Sequence, residues 1–253
     1  MKKIFIKILN NSLDFLFGIS LLRFNQHSNG IIVINNKKKN IFTKISFSIN
    51  GSALIKNEIR GYTWYLNNIK KKNFLFFKQN IIFSKLSTKS FFGIKAPWRK
   101  NIIKNSKYYI LSLKHYEKIW KNKNILPAHG DLTYDNLIFD KKNKNTFIID
   151  WENYKEKGEV WGFDISYLLL SSLILPNIKK RSINKNEKKK FIELWRVTKR
   201  KIKSRELRKN PFLFFEKKFK RDVYWNKLSK KYPGKYFLLR INSSLRNEVI
   251  SLF

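Results

Sequence analysis

Polar side chains collect at both ends of one hairpin-like stretch in the middle of the sequence. Two apolar runs with strand character, Leu137–Phe139 and Thr146–Ile149, are separated by a lysine-rich turn. Carboxylate and amide oxygens flank these runs, and they are the groups that can orient a hydroxyl and hold Mg2+ against phosphates. The pattern therefore predicts phosphoryl transfer. The flanking residues are His129, Asp131 and Asn136 before the hairpin, and Asp150 and Glu152 after it.

The spacing of these residues is more informative than their types. Asp131 and Asn136 are five positions apart, and Asp150 follows 14 residues after Asn136 at the end of the second run. This order resembles the protein kinase catalytic loop, H-R-D-x-x-x-x-N, followed by a metal-binding aspartate on the next hairpin. A purely structural interpretation, with H-G-D as a helix-capping loop and I-D-W-E as a buried strand end, stays open beside it.

A longer pattern narrows the resemblance to small-molecule kinases. The chain reads H-G-D-L-x-x-x-N, then I-D-W-E, then G-F-D-I-x-Y-L-L, with Gly130 where protein kinases usually carry arginine. These motifs resemble the aminoglycoside phosphotransferase and choline kinase family. The strongest resemblance covers residues 126–173, and a weaker one covers residues 41–66.

The resemblance implies an α+β, two-lobed, protein kinase-like fold. We expect a nucleotide-binding N-lobe at residues 1–97, with a small antiparallel sheet and one helix. The strands predicted for this sheet are Leu21–Asn25, Gly30–Ile34, Ile41–Ser46, Ile81–Leu86 and Phe91–Lys95. A mainly helical C-lobe at residues 98–253 would carry the catalytic loop, metal site and acceptor pocket. The linker between the lobes would lie near residues 94–99. The implied cofactors are ATP and Mg2+.

The resemblance also implies roles for residues around the hairpin. Asp131 would be the general base or would orient the acceptor hydroxyl, and Asn136 and Asp150 would be catalytic and hold the metal. His129 and Asp164 would support the loop, although Asp164 could instead cap the apolar helix predicted over residues 163–173. Candidate acceptor-binding residues are Trp151 and Glu152.

The N-terminal part of the chain offers candidates for nucleotide binding. Lys44 lies in the strand-like run F-T-K-I-S, where kinase-like folds place the lysine that contacts the α- and β-phosphates. Glu58 lies in a predicted helix in which apolar residues recur at helical spacing. A surface lysine and an exposed helix glutamate are the alternative. Gly30 ends the turn in the position of a phosphate-covering loop, although an ordinary hairpin turn explains it equally well.

The distribution of acidic residues supports a cation site. The chain has 17 acidic residues, of which eight lie within residues 131–164 and only three precede residue 131. Concentrated carboxylates in so basic a chain are what Mg2+ would require. The formal net charge of +38 could attract nucleic acid or an anionic membrane. The abundance of Lys, Asn, Ile and Phe together is equally typical of an AT-rich genome.

The composition of the chain excludes several other kinds of site and protein. There is no cysteine, which excludes disulfides, thiolate metal sites and a cysteine nucleophile. The apolar start of the chain is interrupted by Lys7 and Asp14 and has no cleavage site, and no run reaches the roughly 18 apolar residues of a membrane span. We expect a cytoplasmic protein.

Two functions are compatible with the sequence. The first is an ATP- and Mg-dependent phosphotransferase that acts on a hydroxyl of a choline-like amino alcohol, a sugar or a cell-surface glycan precursor. The second is a catalytically inactive kinase-like scaffold that binds nucleic acid or anionic membrane through its basic surface. For the enzyme, we expect a small-molecule partner rather than nucleic acid, with peripheral membrane contact left open. The sequence does not specify an oligomeric state.

Overall fold

The computed structural model of the chain divides into two compact units. Unit 1 is residues 1–92 together with Asp150–Tyr154, and unit 2 is residues 93–149 and 155–253. The structure describes residues 19–24, 31–36, 41–70, 75–79, 84–89, 94–95, 103, 106–121, 126–140, 145–180, 182–221 and 237–253. Gly30 and the predicted linker segment Ala96–Trp98 lie outside the described residues, and so do residues 1–18.

Unit 1 contains a five-stranded antiparallel sheet. The strands follow one another in the order β1-β2-β3-β5-β4. The first three correspond to strands predicted from the sequence. The fourth, Leu75–Gln79, was not predicted, because a short apolar run carries no periodicity that separates a strand from other buried segments. The bounds are β1 Ile19–Phe24, β2 Ile31–Asn36, β3 Ile41–Ser46, β4 Leu75–Gln79 and β5 Ser84–Lys89.

One long helix, α1, covers this sheet and spans Ile49–Asn68. Its start is defined by Ser48, whose hydroxyl accepts a hydrogen bond from the backbone N–H of Gly51 at 3.1 Å. The buried face of α1 repeats at helical spacing and packs against β3 and β5. The residues on this face include Ile55, Glu58, Tyr62, Tyr65 and Leu66.

Unit 2 contains two small antiparallel sheets. A three-stranded sheet has the order β6-β8-β9, and a separate pair joins β7 to β10. The segment Phe91–Lys95 was expected to be the last strand of the N-lobe. Instead its two-residue strand Ile94–Lys95 pairs with β8 in unit 2, which corrects that expectation. The bounds are β6 Ile94–Lys95, β7 Leu126–Ala128, β8 Leu137–Asp140, β9 Asn145–Ile148 and β10 Lys155–Glu159.

Helices are the main regular elements of the described part of unit 2. The central helix α3 buries every one of its residues, because its sequence F-D-I-S-Y-L-L-L-S-S-L-I is apolar on all faces. Helices α2, α4 and α6 surround it. The bounds are α2 Ser106–Ile119, α3 Phe163–Ile174, α4 Lys185–Lys199, α5 Arg205–Lys209, α6 Pro211–Arg221 and α7 Ser243–Ile250.

The described residues form a mixed architecture of small antiparallel sheets and mostly helices, which is consistent with a kinase-like fold. The predicted boundary after residue 97 and the roles assigned to its two sides stay predictions. Across the described ranges, no helix is both long enough and apolar enough to span a membrane.

Within unit 1, the segment Asp150–Tyr154 lies unusually close to α1. A Cβ atom added to Gly61 would lie 2.7 Å from the Cβ of Trp151 and 2.9 Å from the Cβ of Tyr154. Real Cβ atoms do not approach so closely, so a side chain at position 61 would push this segment away from the helix.

We predict that Gly61→Ala lowers the free energy of unfolding by about 1–3 kcal/mol, because overpacking outweighs the gain in helix propensity. The matched control is Lys56→Ala, an exposed position on the same helix, where the change should stay within about 0.5 kcal/mol. Urea unfolding of both variants measures the difference. A Gly61→Ala protein as stable as the wild type would show that the close approach is not real.

Candidate active site

A cluster of three charged side chains lies on the face of the unit 1 sheet that packs against α1. The Lys44 ammonium is 2.7 Å from a carboxylate oxygen of Glu58 and 2.6 Å from a carboxylate oxygen of Asp150. Glu58 is almost completely buried, with 2% of its side chain exposed, whereas Asp150 retains 33%. The structure therefore brings together three residues that the sequence placed in the nucleotide and metal sites.

Each member of this cluster is positioned by a different element. Lys44 lies in β3, where it is paired with Val33 of β2 and Leu86 of β5. Glu58 lies on the buried face of α1. Asp150 follows β9 in a left-handed backbone conformation with φ of 66°, which is strained for a residue with a side chain.

The electrostatics of the cluster favour a charged lysine. Burial alone lowers the pKa of Lys44, but the negative charges of Asp150 and Glu58 outweigh it, so the pKa lies well above its usual value. Burial raises the pKa of the Glu58 carboxyl to about 7, although the neighbouring ammonium favours its ionised form. A permanently charged ammonium in a largely buried position is suited to binding an anion such as a phosphate.

Contacts from α1 hold the backbone that carries Asp150. The side-chain amide of Asn57 donates to the carbonyls of Glu152 at 3.0 Å and Tyr154 at 2.8 Å. The Tyr62 hydroxyl accepts a hydrogen bond from the backbone N–H of Asp150 at 3.3 Å. These contacts fix the short 3-10 turn Trp151–Asn153 and with it the strained residue before it.

Sequence reasoning missed the supporting roles of Asn57, Gly61 and Tyr62. In the sequence, Tyr62 is only one of the apolar residues that recur at helical spacing around Glu58. Nothing in the pattern around Asn57 distinguishes an amide that bonds two distant carbonyls from an ordinary helix surface residue. These partners lie about 90 positions away in the chain, so only the tertiary structure brings them into contact.

The burial of Trp151 contradicts its prediction as an acceptor-binding residue. Its side chain is 0% exposed, and its ring packs against Tyr62, Trp64 and Tyr65 of α1. An indole enclosed in this way stabilises unit 1 and offers no face to a substrate. Glu152 is half-buried, and its role in acceptor binding stays a prediction.

In unit 2, Asp164 holds the loop that contains the H-G-D motif. One of its carboxylate oxygens accepts from the backbone N–H of His129 at 2.8 Å, and the other accepts from that of Gly130 at 3.0 Å. Gly130 has φ of 81°, a conformation that glycine adopts without strain. Gly162, not Asp164, is the residue that caps α3, so the alternative of a helix cap by Asp164 is wrong.

The same loop is closed by two side chains. The Asn136 amide donates to the carbonyl of Asp131 at 2.8 Å. The Nδ1 atom of His129 accepts from the backbone N–H of Asp131 at 3.3 Å, so the proton of the neutral ring is on Nε2, which donates to the carbonyl of Ile149 at 2.9 Å. His129 is fully buried and occupied by these two bonds, which makes it a support for the loop.

The oxygen donors available in each unit suit Mg2+. With its amide nitrogen bound to the Asp131 carbonyl, Asn136 keeps its side-chain oxygen as a ligand, and Asp150 supplies a partly exposed carboxylate. Within the described ranges, no group of three or more His, Asp or Glu side chains forms a metal cluster. Each of these donors taken by itself would leave most of the coordination of a magnesium ion to phosphate and water oxygens, which is usual for this ion.

Comparisons with known proteins give distant structural similarity only. The kinase PK-1 of Cydia pomonella granulovirus is similar with a TM-score of 0.39 and 14% identity, covering 75% of this chain and 83% of that one. Spectinomycin phosphotransferase APH(9)-Ia, solved with ADP and spectinomycin, is similar with a TM-score of 0.36 and 11% identity, covering 97% and 96%. No protein-family model and no curated protein matches the sequence. Similarities this weak carry no functional conclusion.

We predict a specific pH dependence of stability at Asp164. Burial raises the pKa of its carboxyl to about 7 from an ordinary 3.8, despite the opposing effect of its two N–H donors. Between pH 3.8 and about pH 7, the Asp164 carboxyl therefore holds a proton in the folded state that it has lost in the unfolded state. The stability that this group contributes is therefore complete below pH 4 and is lost as the pH rises through 7.

Asp164→Asn removes the titration, so the wild type should lose stability relative to the variant as the pH rises from 5 to 8. The slope of the difference should reach up to about 1.4 kcal/mol per pH unit. Denaturant unfolding of both proteins across this range measures it. A difference that does not change with pH would contradict the prediction, whatever its absolute size.

Proposed function

We propose that the protein is an ATP- and Mg-dependent phosphotransferase that moves the γ-phosphoryl group to a hydroxyl of a small molecule. The observation that carries the proposal is the Lys44 ammonium held between Glu58 and Asp150. A fixed cation beside a partly exposed carboxylate matches what nucleotide phosphates and their metal require. The organised loop that carries Asp131 and Asn136 supports the proposal independently.

In this proposal Asp131 is the catalytic carboxylate. The acceptor oxygen forms the new bond to the γ-phosphorus, and the bond from that phosphorus to the bridging oxygen of ADP breaks. The hydroxyl proton passes to the Asp131 carboxylate. His129, Asn136 and Asp164 bond the backbone at Asp131 and just before it, which supports a loop whose backbone is fixed before the acceptor arrives.

Lys44 and the oxygen ligands serve the nucleotide. Lys44 would bind the non-transferred phosphates, and Glu58 keeps its ammonium in place. Asn136 and Asp150 would hold Mg2+, which when bound supplies positive charge next to the phosphate oxygens. Asp150 pairs with Lys44. In the proposal the ammonium of this pair would contact the phosphates and the carboxylate would contact their metal ion.

The burial of two tryptophans supports one class of acceptor over another. A choline-like quaternary ammonium binds against an exposed aromatic ring, and Trp151 and Trp161 are the tryptophans in and near the I-D-W-E motif. Their exposed fractions are 0% and 4%, so neither offers a ring face to a cation. Among the acceptors considered, the proposal therefore favours a sugar or a glycan precursor over choline.

The proposal is tested by ADP release from Mg-ATP with choline, ethanolamine, amino sugars, neutral sugars and homoserine as acceptors. We predict acceptor-dependent release that falls by about 10²–10⁴-fold in Asp131→Ala, with ADP affinity nearly unchanged, because the carboxylate acts on the acceptor. The matched control is Asp135→Ala, which removes an exposed carboxylate from the same loop. Its turnover should match that of the wild type.

Equal turnover in wild type and Asp131→Ala would refute the catalytic role of Asp131. Absence of both ADP release and nucleotide binding would refute the enzyme proposal as a whole. In that case a salt-sensitive affinity for DNA or anionic vesicles would favour the inactive basic scaffold.

A further inference from the structure

A separate cavity in unit 2 is lined by positive charge. Its volume is about 500 Å³, within the range of small-molecule sites. Four cationic side chains and one carboxylate, Glu117, line it, and none of the proposed catalytic residues belongs to it. The cations are Arg200, Lys201, Lys203 and Arg208.

Among the described residues, no carboxylate forms an ion pair with three of these cations. Lys201 forms an ion pair with Glu117, which joins the end of α2 to the turn after α4. Arg200, Lys203 and Arg208 make no ion pair within the described part of the chain. The lining therefore carries an excess of three positive charges around a concave surface, which raises the local concentration of anions.

The turn that carries Arg200, Lys201 and Lys203 is fixed by backbone bonds and by one buried side chain, whereas Arg208 lies on α5. The backbone N–H of Lys201 donates to Thr198 at 3.1 Å, and that of Ile202 donates to Lys199 at 3.2 Å. Ile202 is 2% exposed, so its side chain points into the core, whereas its neighbours Lys201 and Lys203 are exposed. The three cations of this turn thus extend outward from a backbone that is held by hydrogen bonds.

The floor of the cavity is equally well defined. The indole N–H of Trp161 donates to the carbonyl of Trp120 at 2.8 Å, and that of Trp120 donates to the carbonyl of Pro127 at 2.6 Å. The backbone at Gly162 lies so close to the turn that an added Cβ would be 2.8 Å from Ile202. The backbone of the lining is therefore ordered before a ligand binds, which favours binding.

We propose that this cavity is a binding site for a small polyanion, namely a molecule that carries two or more phosphate groups. Two guanidinium groups at one site suit the bidentate recognition of phosphate oxygens, and the third free cation adds charge. The concave shape and the limited volume favour a small molecule over a duplex nucleic acid or a membrane, which present convex or flat surfaces.

Tripolyphosphate in the presence of EDTA is the probe, because it carries the proposed chemistry and needs no metal. Isothermal titration calorimetry would compare the wild type with the triple variant Arg200→Ala/Lys203→Ala/Arg208→Ala. The matched control is Lys179→Ala/Lys185→Ala/Lys189→Ala, which removes three exposed cations from the same unit but outside the cavity. All six positions are exposed, and melting curves would verify that both variants fold.

We expect the cavity variant to weaken binding by about tenfold or more, and the control variant by less than about threefold, because only the first loses direct contacts. Equal weakening in both variants would show a diffuse attraction to a basic surface and would overturn the proposal. Absence of binding to the wild type would overturn it as well.

Lys44→Ala separates this site from the proposed nucleotide site. Tripolyphosphate binding that survives in Lys44→Ala and is lost in the cavity variant supports the proposal. Binding that is lost in Lys44→Ala and unchanged in the cavity variant would assign the anion to the nucleotide site and overturn it. A single-stranded DNA 12-mer that displaces tripolyphosphate at lower concentration than pyrophosphate does would assign the cavity to nucleic acid, with the same consequence.

Discussion

The ammonium of Lys44 between two carboxylates is the interaction on which the arrangement of unit 1 depends. A charge removed from water is tolerated only when it is paired, and leaving one partner of a buried pair alone costs about 3–5 kcal/mol. Lys44 comes from the sheet, Glu58 from α1 and Asp150 from the segment after β9. The three elements must therefore keep their positions together or expose an unpaired charge.

This constraint explains the strain and the close packing around it. Asp150 keeps a left-handed backbone conformation because Lys44 holds its side chain and Tyr62 accepts from its N–H. Asn57 then bonds the two carbonyls that follow, and the absence of a side chain at Gly61 lets the turn approach the helix. In unit 2, Asp164 organises the H-G-D loop by the same means, with one buried carboxylate that accepts two backbone N–H groups.

Much of this could be predicted from the sequence, because the signals were local. The spacing of Asp131 and Asn136 pointed to a loop in which the Asn136 amide donates to the Asp131 carbonyl. The scarcity of acidic residues in the first half of the chain pointed to Glu58, which pairs with Lys44. The hairpin of β8 and β9 and the apolar helix α3 followed from periodicity and composition. The unit 1 sheet was predicted in part, since three strands with turn-rich links are recognisable in the sequence.

The remainder depended on contacts that no local pattern encodes. The strand Ile94–Lys95 has only two residues, so its sequence could not predict that it pairs with β8. Trp151 stands in a polar motif, and only the aromatic residues of α1 show that it is core. The residues that line the basic cavity come from three separate segments of the chain, between Glu117 and Arg208. From the sequence alone, only a general excess of lysine and arginine is visible.

The central claim is that the Lys44 cluster binds a nucleotide together with a metal ion, and ADP affinity with and without Mg2+ tests it most directly. Calorimetry on the wild type should show Mg2+ strengthening ADP binding by about tenfold or more, and Asp150→Asn should lose that gain. Asp135→Asn, in an exposed position, should keep it. If ADP does not bind to the wild type, or if Mg2+ strengthens its binding equally in Asp150→Asn, the account is contradicted.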